Sequence, residues 1–448
     1  MSIDLETAGA GQLAAAVAER TVSAVELCEA CIDRIEARNP AINAVVVKDY
    51  ERARTAARAA DAAVARGETG ALLGVPMTVK EAFNVEGLVT TWGLESARDW
   101  VAPSDAAVVQ RLKAAGAVIV GKTNVPPNLS DWQSANPVYG RTLNPHDATR
   151  SPGGSSGGSA AALATGMVPL EFGSDIGGSI RVPSAFCGTF GHKPSFGLVP
   201  IEGHEPPGAV GNPPPLGVVG PMARSVEDLE LALGVTAGPW GMDAVGYRVD
   251  LPAPRGERLE DFRVLVLDDH PAAPVDAEIR TAIGELVRRA RSAGAEVAYE
   301  SNLLPDLAAQ HATYMPLLMT AMTLGGPPGP QTPTANAYMG MLNAQLAWRQ
   351  RWAELFENFD VVVAPTLGTV AFPHLEGEWG DRTLTINGKP EPFAGQLLWA
   401  SLATLPNLPS TAIPIGKTKA GLPIGAQIVG PYLEDWTTLA FARLISAG

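Results

Sequence analysis

Gly153-Gly154-Ser155-Ser156-Gly157-Gly158-Ser159 and Asp175-Ile176-Gly177-Gly178-Ser179-Ile180-Arg181 are the two stretches on which the reading of this chain turns. Neither has the surroundings of a linker. The first runs straight into Ala160-Ala161-Ala162-Leu163-Ala164, a strong helix former, and the second is boxed by Val168-Pro169-Leu170-Glu171-Phe172 and Val182-Pro183. Glycines among apolar residues cost backbone entropy on folding, which implies positive φ or a close approach of two backbones. Outward from them, short apolar runs at 44–47, 77–80, 117–120, 263–267, 360–364 and 424–429 read as strands. Helical patterns separate several of these, notably 277–293 and 337–356, and residues 1–70 read as alanine-rich amphipathic helices. Apolar strands alternating with helices give an α/β protein with a largely buried mixed sheet.

A Gly-Gly-Ser turn leaves backbone N–H groups unshielded, so they can point at a developing oxyanion. Ser179 is therefore the candidate nucleophile, with the N–H groups of Ile176, Gly177, Gly178 and Ser179 itself as candidate oxyanion donors. A serine hydroxyl needs an adjacent proton acceptor before it attacks. The candidate is Lys80, in Val75-Pro76-Met77-Thr78-Val79-Lys80-Glu81. Lysine accepts a proton only when neutral, and burial among Val75, Met77 and Val79 is the force that would lower its pKa from about 10.4. Glu81 would oppose this, but alternation along an extended strand turns it to the other face. Alone, this segment would describe an ordinary strand-end lysine; the two serine motifs single it out.

Further stretches point the same way: Thr123-Asn124-Val125-Pro126, Asn136-Pro137-Val138-Tyr139-Gly140-Arg141-Thr142, Asn144-Pro145, Gly191-His192-Lys193-Pro194, Phe359 to Thr366 and Gly421 to Gln427. With the lysine and serine motifs, they make the chain resemble the amidase signature family over nearly its whole length. The resemblance implies one α/β/α domain over 1–448, with a central mixed sheet covered by helices on both faces and a signature core near 70–220. It also implies roles: Ser179 forms the acyl-enzyme, Ser155 bridges it to Lys80 through a cis peptide bond, and Lys80 is the terminal base. No metal or organic cofactor is implied. The substrate would be a small-molecule amide, with aryl acylamides, carbamates (urethanes) and esters open to the same machinery. The core also resembles the amidase subunit of the glutamine-dependent tRNA amidotransferase, which would make the chain part of a complex that feeds ammonia to a partner. Leu402-Ala403-Thr404-Leu405-Pro406-Asn407-Leu408-Pro409 departs from that subunit's usual glutamine-site wording.

Other patterns carry less. Residues 116–123 fit the P-loop pattern, but the stretch between its glycines is itself the strand, which is the wrong order for a phosphate cradle. Ser155 and Ser156 also fit the elbow of α/β-hydrolase esterases; that fold needs an apolar strand before the serine and a downstream histidine, for which His374 has no local support. Cys28 and Cys31 lie within one helical run, without a second pair to complete a zinc site, and Cys187 reads as packing. Three cysteines without a framework suit a reducing cytoplasm. The N-terminus lacks a signal-peptide pattern and no apolar run approaches a membrane span. A net charge of −14 without basic clusters argues against a nucleic-acid partner. A homodimer is compatible with the reading. Two Pro/Gly-rich loops, 202–216 and 324–330, are candidate lids, and His204 is the histidine best placed to face substrate. Among nine tryptophans, Trp132, Trp348, Trp379 and Trp399 are candidates to line a pocket.

Overall fold

A computed structural model describes residues 7–209, 214–323, 329 and 332–447. The N-terminal stretch supplies helices Ala10–Ala18, Ala24–Ile42 and Tyr50–Ala65. The second illustrates how local sequence sets its limits. Ser23 and Glu26 form a reciprocal capping box at its start, and Asn43 ends it in the left-handed conformation at φ 58°. Cys28 and Cys31 are wholly buried on its inner face, so packing is their role there.

Three strands follow the expected runs: β1 (Val45–Lys48), β2 (Pro76–Lys80) and β3 (Val118–Thr123), in the order β1-β3-β2. β2 runs parallel to β3, with Lys80 opposite Thr123, and β1 runs antiparallel to it. Residues 118–123 thus form one buried strand, which removes the phosphate-cradle reading.

Eight more strands make a second sheet: β4 (Leu170–Asp175), β5 (Phe190–Lys193), β6 (Val218–Ala223), β7 (Arg263–Val266), β8 (Glu296–Ala298), β9 (Val361–Pro365), β10 (Ser410–Lys417) and β11 (Pro423–Val429). Their order is β8-β7-β9-β11-β10-β5-β6-β4. The β8-β7-β9 pairings are parallel and the others antiparallel, so the sheet is mixed as expected. β4, β6, β9 and β11 are buried along their whole length, which explains the continuous apolar spelling of β9; β4 buries the polar Glu171, Ser174 and Asp175 as well. The two sheets meet where β2 lies against edge strand β4. That seam carries the serine and lysine motifs.

The main core joins both sheets to helices such as Ala277–Ser292 and Asp435–Ser446. A smaller one gathers Trp132, Phe186, Tyr314, Trp348 and Phe393 beside the seam. No helix of the described residues is long and apolar enough to cross a membrane.

Candidate active site

Lys80 ends β2, wholly buried, with Nζ 2.6 Å from Ser155 Oγ and 2.8 Å from Ser174 Oγ. Ser174 belongs to β4, so this contact crosses the seam between the sheets. Burial is the main influence on the Lys80 amine and brings it down to about 7, although Asp175 and Glu171 pull the other way. Glu81 does turn to the opposite face: its carboxylate accepts from the backbone N–H of Thr91 and Trp92 and from Tyr139 Oη.

Ser155 follows a cis Gly154–Ser155 peptide and precedes helix Gly157–Ala164. Gly154 is needed for close approach, because a Cβ there would lie 2.4 Å from the Asp131 carbonyl oxygen. Ser156 N–H donates to the Ser179 carbonyl, tying the two serine motifs together. Ser179 lies between β4 and helix Arg181–Cys187, in a loop where Gly178 has φ 93°.

That loop is held from three sides. Tyr314 Oη donates to the Ile176 carbonyl and Trp132 Nε1 to the Gly177 carbonyl. The Asp175 carboxylate accepts from the N–H groups of Gly178 and Ile180 and from the Arg181 guanidinium. Burial opposes ionisation of Asp175, but the Arg181 charge and its hydrogen bonds outweigh it and bring the carboxyl to about 2. Arg181, equally buried, is satisfied further by Gln427, Thr404 and the Ala400 carbonyl. The Gly178 N–H, one of the four expected oxyanion donors, is therefore engaged by Asp175. The N–H groups of Ile176, Gly177 and Ser179 have no hydrogen-bond acceptor among the described residues.

Ser155, Ser174, Asp175, Ile176 and Ser179 line one cavity of about 420 Å³. Its other walls are mainly apolar: Trp92, Leu129, Ile201, Pro206, Pro214, Val218, Met322 and Tyr338. His204 and Glu205 supply polar groups. The loop expected at 202–216 forms part of the wall, with 210–213 outside the described residues; of 324–330, all but Gly329 lies outside them. A shallower depression of about 580 Å³, lined by Glu300 to Leu303, Asn358 and Phe359, contains none of the motif residues.

Several expectations need correction. The four tryptophans proposed for the pocket are not among its lining residues; Trp132 works from behind by holding Gly177, and Trp399 donates to the Ala273 carbonyl. Trp92 and Tyr338 supply the aromatic wall instead. His374 is away from the cavity, with Nε2 3.1 Å from the Thr142 carbonyl oxygen, so the α/β-hydrolase alternative lacks its histidine. Ser174 went unrecognised in the sequence. It sits near the end of β4, just before Asp175, and its contact with Lys80 depends on how the two sheets meet. No group of His, Cys, Asp and Glu suited to a metal occurs among the described residues.

The Amidase family model matches residues 26–325 and 328–439. A glutamyl-tRNA(Gln) amidotransferase subunit of Acidothermus cellulolyticus is 35% identical over 487 residues, covering 96% of this chain and 92% of that one. Among solved structures, a bacterial aryl acylamidase of the amidase signature enzymes superposes with a TM-score of 0.82 at 27% identity, covering 98% of this chain and 96% of that one. A chain of an inhibitor-bound vestigial complex, related to the origins of an s-triazine catabolic enzyme, gives 0.83 at 30% identity and 98% coverage of both chains. The chain belongs to the amidase signature family, hydrolases acting on C–N bonds.

Proposed function

We propose that the protein hydrolyses a neutral amide lacking a carboxylate, through an acyl-enzyme on Ser179. The observation that supports this most is the environment of Lys80, an amine brought to about 7 by burial and in hydrogen-bond reach of two hydroxyls. Above that pH, Nζ carries a lone pair and can accept the Ser155 proton while donating to Ser174. Ser155 in turn takes the Ser179 proton as Ser179 Oγ bonds to the substrate carbonyl carbon. The negative charge that develops on the carbonyl oxygen falls to the N–H groups of Ile176, Gly177 and Ser179. When the C–N bond breaks, Ser155 gives a proton to the leaving amine and recovers one from Lys80. Water then repeats the sequence, releasing the acid and restoring Ser179. Carbamates and esters fit the same steps, the ester's leaving alcohol taking the proton.

The cavity supports the choice of substrate. Its charged lining residues are Asp175 and Glu205, with no Lys or Arg among them, and the sequences 210–213 and 324–331 contain neither. A free carboxylate would enter without a countercharge. The curated relatives favour a second reading more directly than the first: several are glutamyl-tRNA(Gln) amidotransferase subunits of the same type, with 33–35% identity. On that reading the chain releases ammonia from glutamine within a complex.

The purified chain, assayed on anilides, primary amides, carbamates and glutamine, separates the two. Turnover of neutral amides without glutaminase activity supports the first. Glutaminase activity that appears only with amidotransferase partner subunits supports the second and overturns the first.

A further inference from the structure

His204 is 7% exposed and lines the same cavity as Ser155, Ser174 and Ser179. Its ring packs edge-on against Phe83, centroids 4.7 Å apart, and tilted against Trp92 at 5.2 Å. These contacts fix the ring but leave its polar edge unanswered: Nε2 is buried and meets no hydrogen-bond partner among the described residues. A buried polar atom left without a partner is unfavourable to the fold. Apolar packing alone would be served as well by phenylalanine, which carries no such cost. Burial, with the positive charge of nearby Lys80 adding to it, holds the imidazole down to about 3, so the ring is neutral wherever Lys80 is. A neutral imidazole offers one N–H donor and one lone pair, enough to grip a group that is itself uncharged. Beside it, burial raises the Glu205 carboxyl, which accepts from the Gly203 N–H.

We infer that His204 is a specificity-determining residue that hydrogen-bonds an uncharged polar group of the substrate near the scissile carbonyl. The substrate class is then a urea, carbamate or hydroxyl-bearing amide rather than a plain alkyl or aryl one. Its counterpart on an apolar substrate would be a CH₃ facing an unpaired ring nitrogen, a mismatch that hydrogen-bonding sites reject strongly. This inference narrows the amide-hydrolase reading above but does not need turnover to be tested.

The test is binding to the Ser179→Ala protein, with two pairs of ligands that differ by one polar group. Phenylurea against acetanilide places it on the acyl side, and N-(2-hydroxyethyl)phenylacetamide against N-propylphenylacetamide places it on the leaving side. Dissociation constants come from ligand-observed NMR titration. The polar member of one pair should bind about 5- to 100-fold more tightly, the ratio that recovering such a hydrogen bond implies. Adding His204→Phe should bring that ratio to about one, while His204→Gln, which keeps a donor and an acceptor, should restore part of it. The inference is overturned if neither pair is discriminated, or if the preference survives His204→Phe, which would reduce the ring to aromatic packing. Failure of the amide-hydrolase reading would show separately, as absence of turnover by the wild-type chain.

Discussion

Lys80 and Lys193 are both wholly buried, and burial is the main reason both amines lie near 7. Their partners differ. Lys193 Nζ donates to the carbonyl oxygens of Pro194 and Leu408, acceptors with no proton to give. Lys80 faces the hydroxyls of Ser155 and Ser174, either of which can reverse the direction of the hydrogen bond. Lys122, brought to about 8 by burial, resembles Lys193 more closely: it donates to the Val89 carbonyl and to Thr90 Oγ1, whose own proton is directed to the Phe83 carbonyl. A depressed lysine pKa is therefore common in this interior and does not identify a base. On the reading proposed above, what distinguishes Lys80 is its reversible partners on the wall of a cavity.

The sharpest way to break this comparison is to remove each lysine in turn and follow Ser179 with a fluorophosphonate, reading the adduct by intact mass. Ser179→Ala should give no adduct. Lys80→Met and Ser155→Ala should slow labelling by about 10²- to 10⁴-fold, the usual contribution of a positioned proton acceptor. Lys193→Met should label at the wild-type rate in protein shown by circular dichroism to be folded. Equal losses from Lys80→Met and Lys193→Met would mean that both lysines act only through the fold.

A third arrangement, Arg181 with Asp175, shows what a buried charge needs in order to remain charged. Their direct contact at 2.9 Å, with Gln427 and Thr404 completing the guanidinium, is a paired site and not a proton relay. Arg181→Met should destabilise the protein by about 3–5 kcal/mol in urea unfolding, because an unpaired carboxylate would remain in the interior. The sign with pH follows from the folded carboxyl at about 2 against an ordinary 3.8. Its stabilisation is complete above about pH 4 and is lost as pH falls toward 2. Arg181→Met should therefore lessen the loss of stability across that window; an unchanged acid profile would show that Asp175 does not depend on Arg181.

Lys80 has the same sign in a higher window, because its folded pKa is also lowered. Above about pH 7 it is neutral in the folded protein, whereas the unfolded chain keeps that proton to about 10.5. Unfolding then takes up a proton, so the lysine's contribution to stability rises with pH between those values. Activity should follow the folded group alone: kcat/KM on a neutral amide should rise through an ionisation near pH 7. Glu171 is one of the two carboxylates that hold the Lys80 pKa up, so Glu171→Gln should move this limb to lower pH. A limb that stays in place would assign it to another group.

How much of this was legible depends on the range of the physics involved. The apolar spelling of β3, β9 and β11 revealed buried strands, whereas β4, spelled Leu-Glu-Phe-Gly-Ser-Asp, was not among the expected runs; the Ser23–Glu26 capping box marks its helix locally. Ser155 and Ser179 stood out because glycine-framed turns are costly unless something requires them, and Lys80 stood out only through their company. The division into two sheets was not legible, since it depends on which strand edges pair. Ser174 was hidden because its role needs β4 placed against β2, a contact between residues 94 positions apart. The engagement of the Gly178 N–H was hidden for a different reason: its acceptor, Asp175, is only three residues away, but the turn that joins them is a matter of backbone geometry. The tryptophans misled because a large aromatic ring reads the same whether it lines a cavity or supports it from behind.

The smallest effect expected concerns Cys187, which shares the deep burial of Lys80 but has no relay partner. It is wholly buried in the helix that begins two residues after Ser179, and its Sγ donates to the Pro152 carbonyl at 3.4 Å. Burial alone pushes this thiol well above its ordinary value. Burial likewise raises Cys28 to about 11 and Cys31 to about 12. The thiolate is the reactive form, and these environments suppress it. Iodoacetamide at pH 8 should leave all three thiols of the folded protein unmodified while alkylating all three in urea, as read by intact mass. Cys187→Ala should leave fluorophosphonate labelling at the wild-type rate and cost only the packing of a small side chain. If native alkylation occurred at Cys187 and slowed labelling in step, burial beside Ser179 would no longer suffice to make a group inert, and the distinction drawn between Lys80 and Lys193 would need a criterion beyond their hydrogen-bond partners.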